Sequence, residues 1–339
     1  MQVTTMGIDL AKQVFQVHGI DTRGTVVLKK RLTRSALHTF MANLPPCRVG
    51  MEVCGSANYW SRRFRAYGHD VRLMGPQFVK PYVKSNKNDC NDAAAICEAV
   101  SRPTMRFVAP KTVAQQDMQG LHRIRQRLVQ SRTALINQIR GLLAEYDITI
   151  PQQAAQLRRR LPSILEDPAN ELTSLGREIF GDLARELAEL KARILHVEAR
   201  IKHLFAESDV CQRLAQVEGV GPLIATAMVA SVSDPHAFKN GRQLAAWLGL
   251  VPRQQSSGNN TQRLLGISKR GDRYLRTLLI HGARAVVAHA PAKQDSRSRW
   301  IVEIQRRRGT NRTCVAVANK NARILWALMA KGGMYRQVA

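Results

Sequence analysis

Long apolar runs are absent from this 339-residue chain: no stretch approaches the roughly 20 residues that a transmembrane helix needs, so no membrane span is expected. The N-terminus has neither a basic n-region nor an apolar h-region, so no signal peptide is expected. The six cysteines, Cys47, Cys54, Cys90, Cys97, Cys211 and Cys314, contain no C-x-x-C pair. Neither a structural zinc site nor a redox pair is therefore suggested, and the thiols read as reduced and mostly buried in a cytosolic protein. The nine histidines show no metal-ligand spacing. Acidic residues are scarce, 25 Asp and Glu against 52 Lys and Arg, which leaves a formal net charge of +27. Such a balance says little about fold, but it points to phosphate backbones as the counter-surface.

What is present is enough apolar material, 45% of residues, for sizeable cores in two or three domains. Residues 3–10, 14–20 and 25–29 read as three strands, the second by its alternation. A helix over 32–44, a strand over 48–53, a helix over 56–67, a strand over 70–74 and a helix from Asp89 follow. Strands first, then alternating helix and strand, predicts an α/β region with a mixed sheet over residues 1–110.

That order places the scarce carboxylates. Asp9 lies in or at the end of the first strand, Glu52 stands near the end of the fourth, and Asp89 and Asp92 open the last helix. Residues three apart share a helix face, so Asp89 and Asp92 project together. On their own they fit best a solvated helix start that complements the macrodipole, with oxygen ligands for a hard divalent cation such as Mg²⁺ as the alternative. Four carboxylates over one sheet edge, holding metal, would suit phosphodiester chemistry. An initial strand with Asp followed by two more strands is the layout of ribonuclease-H-like nucleases. Actin-like ATPases and sugar kinases begin similarly, but they need glycine-rich phosphate loops that residues 1–110 lack.

Residues 111–206 read as helical and basic. Leu121, Ile124, Leu128, Leu135, Ile139, Leu142 and Tyr146 trace one stripe, which Pro151 and Arg158-Arg159-Arg160 are expected to interrupt. From Leu183 to Leu204 apolar residues repeat in 4,3 steps, which fits a coiled-coil hairpin, a subunit contact or a helix packed on its own domain. Residues 207–339 form a third, mainly helical region. Val217 to Ala225 resembles the turn of a helix-hairpin-helix module, where Gly219 and Gly221 would bring backbone N–H groups to phosphate; an ordinary glycine-rich connection fits as well. Residues 243–250 read as a short buried helix, and 252–261 as a mobile loop. Around that loop stand Arg253, Arg263, Lys269, Arg270, Arg273 and Arg276, candidate nucleic-acid contacts. Ser257 precedes Gly258 in it; a serine there is ordinarily a turn former, and no base stands near it in sequence. Trp300 and Trp326 read as core residues.

Six blocks in order carry a resemblance. They are Met6 to Lys12, Met51 to Ala57, Lys87 to Ala93, Leu248 to Pro252, Ser257-Gly258 and Ile267 to Asp272. Together they look like the DEDD transposases of bacterial insertion sequences, the insertion-sequence one-hundred-ten family. The resemblance implies a resolvase-like domain whose DEDD letters fall on Asp9, Glu52, Asp89 and Asp92 and bind Mg²⁺ or Mn²⁺. It implies a nucleophilic serine at Ser257 in a C-terminal transposase domain. It further implies donor and target DNA as substrates, a structured guide RNA as partner, and a homo-oligomer, dimer or tetramer, whose active sites join domains of different subunits. A cytoplasmic, nucleoid-associated bacterial protein would follow. A junction endonuclease using water and a non-catalytic nucleic-acid-binding protein remain the other readings.

Overall fold

The computed structural model describes residues 2–84, 88–255 and 263–335. The chain forms two compact units, Met1–Ala114 with Ser233–Ala237, and Gln115–Val232 with Phe238–Ala339. Among the described residues no helix is long and apolar enough to cross a membrane.

The first unit contains β1 (Thr5–Asp9), β2 (Val14–Ile20), β3 (Val26–Thr33), α1 (Arg34–Asn43), β4 (Arg48–Glu52), α2 (Ala57–Ala66), β5 (Asp70–Met74), α3 (Pro76–Val79), α4 (Asp89–Val100) and β6 (Phe107–Val108). The strands make one mixed sheet in the order β3-β2-β1-β4-β5-β6, as the strand and helix order predicts. The β1–β4 and β4–β5 pairs are parallel and the rest antiparallel. The strands β3 and β6 differ from the sequence reading. β3 runs four residues further, to Thr33, because it pairs with β2 along the whole length of that strand. β6, two residues long, adds an antiparallel edge that a pattern reading has too little length to find.

Alternation divides the sheet's two faces. Met6, Ile8, Val49 and Met51 share a core with Leu37 and Met41 of α1 and Trp60 and Phe64 of α2. Gly7 and Gly50 point the other way, towards α4. A Cβ on Gly7 would lie 2.2 Å from the Ala93 carbonyl oxygen and 2.4 Å from the Cys97 nitrogen. One on Gly50 would lie 2.8 Å from Val100 Cβ. Glycine at these positions lets α4 lie directly on the backbone of β1 and β4, and burial there pushes the Cys97 thiol up to about 12.

The second unit is mainly helical. It holds α5 (Val113–Ala144), α6 (Ala154–Glu166), α7 (Ser174–Ala206), α8 (Asp209–Ala215), α9 (Pro222–Ser231), α10 (Gly241–Trp247), the hairpin β7 (Pro252–Gln255) and β8 (Arg263–Ile267), then α11 (Arg273–His289), α12 (Ser296–Arg308) and α13 (Thr310–Lys331). Leu128, Leu135 and Ile139 of α5 share one core with Leu187, Leu190, Ile194 and Ile201 of α7. Arg125 ties the two helices through an ion pair with Glu198 at 2.6 Å. The Arg158–Arg160 run does not interrupt helix: it lies inside α6, exposed, while Leu157 and Leu161 on either side are buried. Its charges stay in solvent on the outer face, so they cost the helix nothing. Residues 252–255 are strand rather than loop, since their backbone pairs with β8; polar side chains alone had suggested otherwise.

His122 joins three helices of this unit. The Thr226 hydroxyl donates to the Pro222 carbonyl at 2.6 Å, so it accepts from His122 Nε2–H at 2.9 Å. Nδ1 is then bare and accepts from the Tyr274 hydroxyl at 3.0 Å. Burial, aided by the nearby Arg125 charge, lowers His122 to about 4.

Two tests follow from these contacts. Gly7→Ala should destabilise the protein by about 2–3 kcal/mol, because the obstructing atoms are backbone and cannot swing aside. Gly55→Ala, whose Cβ would meet nothing within 4 Å, should be near neutral; equal melting temperatures for the two variants would refute the close packing. For His122 the unfolded chain binds a proton near pH 6.5 and the folded chain only near pH 4. Its contribution is therefore complete above pH 6.5 and is lost, by about 3 kcal/mol, as pH falls to about 4. Denaturant titrations of wild type and His122→Gln should show a shallower acid slope for the variant.

Candidate metal centre and nucleic-acid surface

The packing of α4 on β1 builds the centre. Gly7 and Asp9 stand two residues apart on one strand and so face the same side of the sheet, as do Gly50 and Glu52 on β4. The helix covers the glycines, and its N-terminus ends where the carboxylates emerge. Asn88 caps it, its side chain accepting from Cys90 N–H at 3.0 Å. The first turn then carries Asp89 and Asp92. Among the described residues, one carboxylate oxygen each from Asp9, Asp89 and Asp92 comes within 4.8 Å of the others, with Asp89 exposed and the other two half-buried.

Glu52 is not in that trio. It ends β4 one residue beyond Met51, which pairs with Ile8, so it reaches the same sheet edge as Asp9 on the adjacent parallel strand. The sheet thus brings Asp9 and Glu52 to the same end of adjacent strands, and α4 brings Asp89 and Asp92 to Asp9.

Three carboxylates this close repel one another, by an order of 1–4 kcal/mol per pair at separations near 4 Å and effective dielectric constants of 80 to 20. The α4 dipole and the Asn88 cap offset part of this. A divalent cation reverses its sign. The donor set fits a hard cation: all the ligand atoms are carboxylate oxygens, which Mg²⁺ and Mn²⁺ accept and soft metals avoid. Of the cysteines, Cys54 and Cys90 are exposed and the other four are buried.

The expected nucleic-acid contacts divide. Arg253, Lys269, Arg270 and Arg273 are exposed around the β7–β8 hairpin. Arg263 stands in β8, its side chain outside the described residues, as is the whole of Ser257. Arg276 corrects the sequence reading. It is 7% exposed, and its guanidinium donates to the carbonyls of Leu248 and Arg270 at 2.9 and 2.8 Å, so it clamps a turn instead of meeting phosphate. Gly219 too has a packing role. Its φ is +79°, and a Cβ there would lie 2.7 Å from the Gly282 carbonyl oxygen of α11. Gly221, at the N-cap of α9, has open space around it. The sequence reading missed Gly7 and Gly50 as determinants of the centre. Their signal was available: each precedes a strand-ending carboxylate by two residues, in Gly7-Ile8-Asp9 and Gly50-Met51-Glu52.

Comparison with known proteins shows the family. Residues 6–148 match the profile of the DEDD transposases, described as "Transposase". Residues 211–298 match that of the "Transposase IS116/IS110/IS902 family". A Pseudomonas aeruginosa protein named "Probable family 20 transposase" is 52% identical over 339 residues, covering 99% of both chains. The Coxiella burnetii "Transposase for insertion sequence element IS1111A" is 50% identical over 334 residues, covering 98% of this chain and 92% of that protein. The Yersinia enterocolitica "Transposase for insertion sequence element IS1328" is 38% identical over 333 residues, 98% of each. The chain belongs to the IS116/IS110/IS902 family of transposases, enzymes that act on DNA.

Proposed function

We propose that this transposase cuts and rejoins DNA through the Asp9–Glu52–Asp89–Asp92 centre together with Ser257. The observation that carries the reading is the convergence of Asp9, Asp89 and Asp92. A Mg²⁺ or Mn²⁺ ion bound there would polarise a phosphodiester and neutralise charge that develops on its oxygens. Asp9 and Asp92, half-buried, hold their oxygens in place, and exposed Asp89 leaves the centre open on the solvent side. In the strand-transfer step the Ser257 hydroxyl gives up its proton, its oxygen bonds to phosphorus, and one backbone P–O bond breaks. The departing oxygen takes up a proton and leaves as a free DNA hydroxyl. Rejoining runs the same exchange in reverse, with a new DNA hydroxyl displacing the serine.

The finer features rest on the family resemblance: selection of donor and target by a structured guide RNA, and assembly as a dimer or tetramer. Apolar side chains left in solvent on the long helices, Ile124 of α5 with Ile179 and Leu195 of α7, support self-association. The excess of basic residues supports binding of RNA as well as DNA. A second reading, hydrolysis by water at the same carboxylates, is favoured by the centre alone, since it needs no serine.

Two substitutions decide. Asp92→Asn should abolish Mg²⁺-dependent strand cleavage without lowering the melting temperature, because it removes one of three repelling charges. Wild-type cleavage rates in that variant would sink the metal centre. Ser257→Ala should abolish recombination and the covalent protein–DNA adduct while nucleic-acid binding persists, and Ser256→Ala should behave as wild type. The readout is labelled DNA that stays on denatured protein until protease treatment. Cleavage by wild type with no such adduct would establish the water mechanism, and loss of the adduct in Ser256→Ala alone would move the nucleophile.

A further inference from the structure

A groove of about 950 Å³ opens in the second unit along one face of α13. Its wall follows helical spacing: Arg312, Ala316, Lys320, Arg323 and Ala327 recur every three or four residues, over about 22 Å of helix. Leu250, Pro252 and Ile267, at the base of the β7–β8 hairpin, form the opposite side. Arg242 of α10 adds a fourth cation, and among the described residues the lining contains no carboxylate. Trp300 and Trp326 also line it, each half-buried. Both pack against the hydrophobic core of this unit, as the sequence suggests, and leave part of their surface in the groove.

Among the described residues, no carboxylate lies in the groove to pair with these cations. Lys320 lies over the Trp300 ring, 4.3 Å from its centroid, where it gains a cation–π contact but no full counter-charge. Burial, then the charges of Arg297 and Arg323, lower its pKa. A concave surface with cations at its rim and indole rings in its wall suits a ligand with anionic groups on one side and flat apolar faces on the other. Nucleotides meet both requirements when their bases are unpaired. In a duplex the base faces are stacked away, and the indoles would have nothing to contact.

We propose that this groove holds an unpaired stretch of a DNA strand, its bases against the exposed parts of Trp300 and Trp326 and its phosphates paired with Arg242, Arg312, Lys320 and Arg323. The assignment of DNA rests on the reading of the chain as a DNA-cutting transposase, because cutting and rejoining releases strand from the duplex. It does not depend on the carboxylate or serine chemistry.

The test uses the full chain in EDTA, so that no cleavage intervenes. Fluorescence anisotropy measures binding of labelled dT12, of a 12-base-pair DNA duplex and of rU12, across a salt series. The triple variant Arg312→Gln, Lys320→Gln, Arg323→Gln should weaken dT12 binding at least tenfold. It should reduce the slope of log affinity against log salt by about 2, three phosphate contacts at about 0.7 each. Duplex binding should change less than threefold. Trp300→Leu should weaken dT12 binding at least fivefold and leave the salt slope unchanged; if that variant does not fold, the glutamine variant, confined to the solvent-facing wall, still decides. Unchanged dT12 affinity, or an equal loss for the duplex, would overturn the proposal. A tenfold loss of rU12 binding in the triple variant, with dT12 binding unchanged, would assign the groove to RNA and overturn it as well. Failure of the cleavage tests with Asp92→Asn would leave these binding results standing, and failure here would leave the metal centre standing.

Discussion

The structure of the first unit depends on one close contact, α4 lying on the backbone of β1 with no side chain between them. With only 2.2 Å available to a Cβ at Gly7, the separation of helix and strand is set by backbone atoms, which do not adapt as side chains do. The consequence is positional precision at the helix N-terminus. Asp89 and Asp92 ride on α4 and Asp9 ends β1, so the gap between their oxygens inherits the rigidity of that contact. A helix held off by a valine or leucine layer would place its carboxylates several ångströms further from the strand.

This contact also explains why a repelling cluster can exist in the folded chain. Asp9 and Glu52 are held by parallel pairing of β1 with β4, and that pairing is paid for by the core on the other sheet face, around Ile8, Met51, Trp60 and Phe64. Those side chains are fully enclosed, and each contributes on the order of 1.5–3 kcal/mol by burial. The stability of one face thus offsets the electrostatic cost of the other, the division expected where a site is built for binding and not for its own stability.

Much of this was legible in the sequence because the relevant signals are local. The strand alternation of Val14 to Ile20 and the i, i+3 pair of Asp89 and Asp92 act within a few residues, and the strand and helix they predict are present. What escaped depends on partners distant in the chain. Nothing near Arg276 announces that the carbonyls of Leu248 and Arg270 will meet its guanidinium. Gly219 reads as a phosphate-facing turn until Gly282, on another helix, proves to be the neighbour. Pro252 to Gln255 has a loop's composition, and only the strand opposite makes it a strand. The serine assignment came from the order of sequence blocks, and no physical feature of residues 252–261 would have singled it out.

Net charge shows the same limit in another form. A surplus of +27 says that anions will be attracted, yet not every cation is available to meet one. Arg276 and Arg297 are enclosed, the latter donating to Tyr335 Oη and Asn321 Oδ1. Arg177 spends its guanidinium on the carbonyls of Leu165 and Asp167. An arginine with five donors is well suited to closing turns and helix ends, and in that role it contributes to the long-range field but makes no phosphate contact. The electrostatic footprint is therefore better traced through cations that face solvent in groups, as around the β7–β8 hairpin and along α13, than through the total. Both groups lie in the second unit, whereas the carboxylates that converge lie in the first.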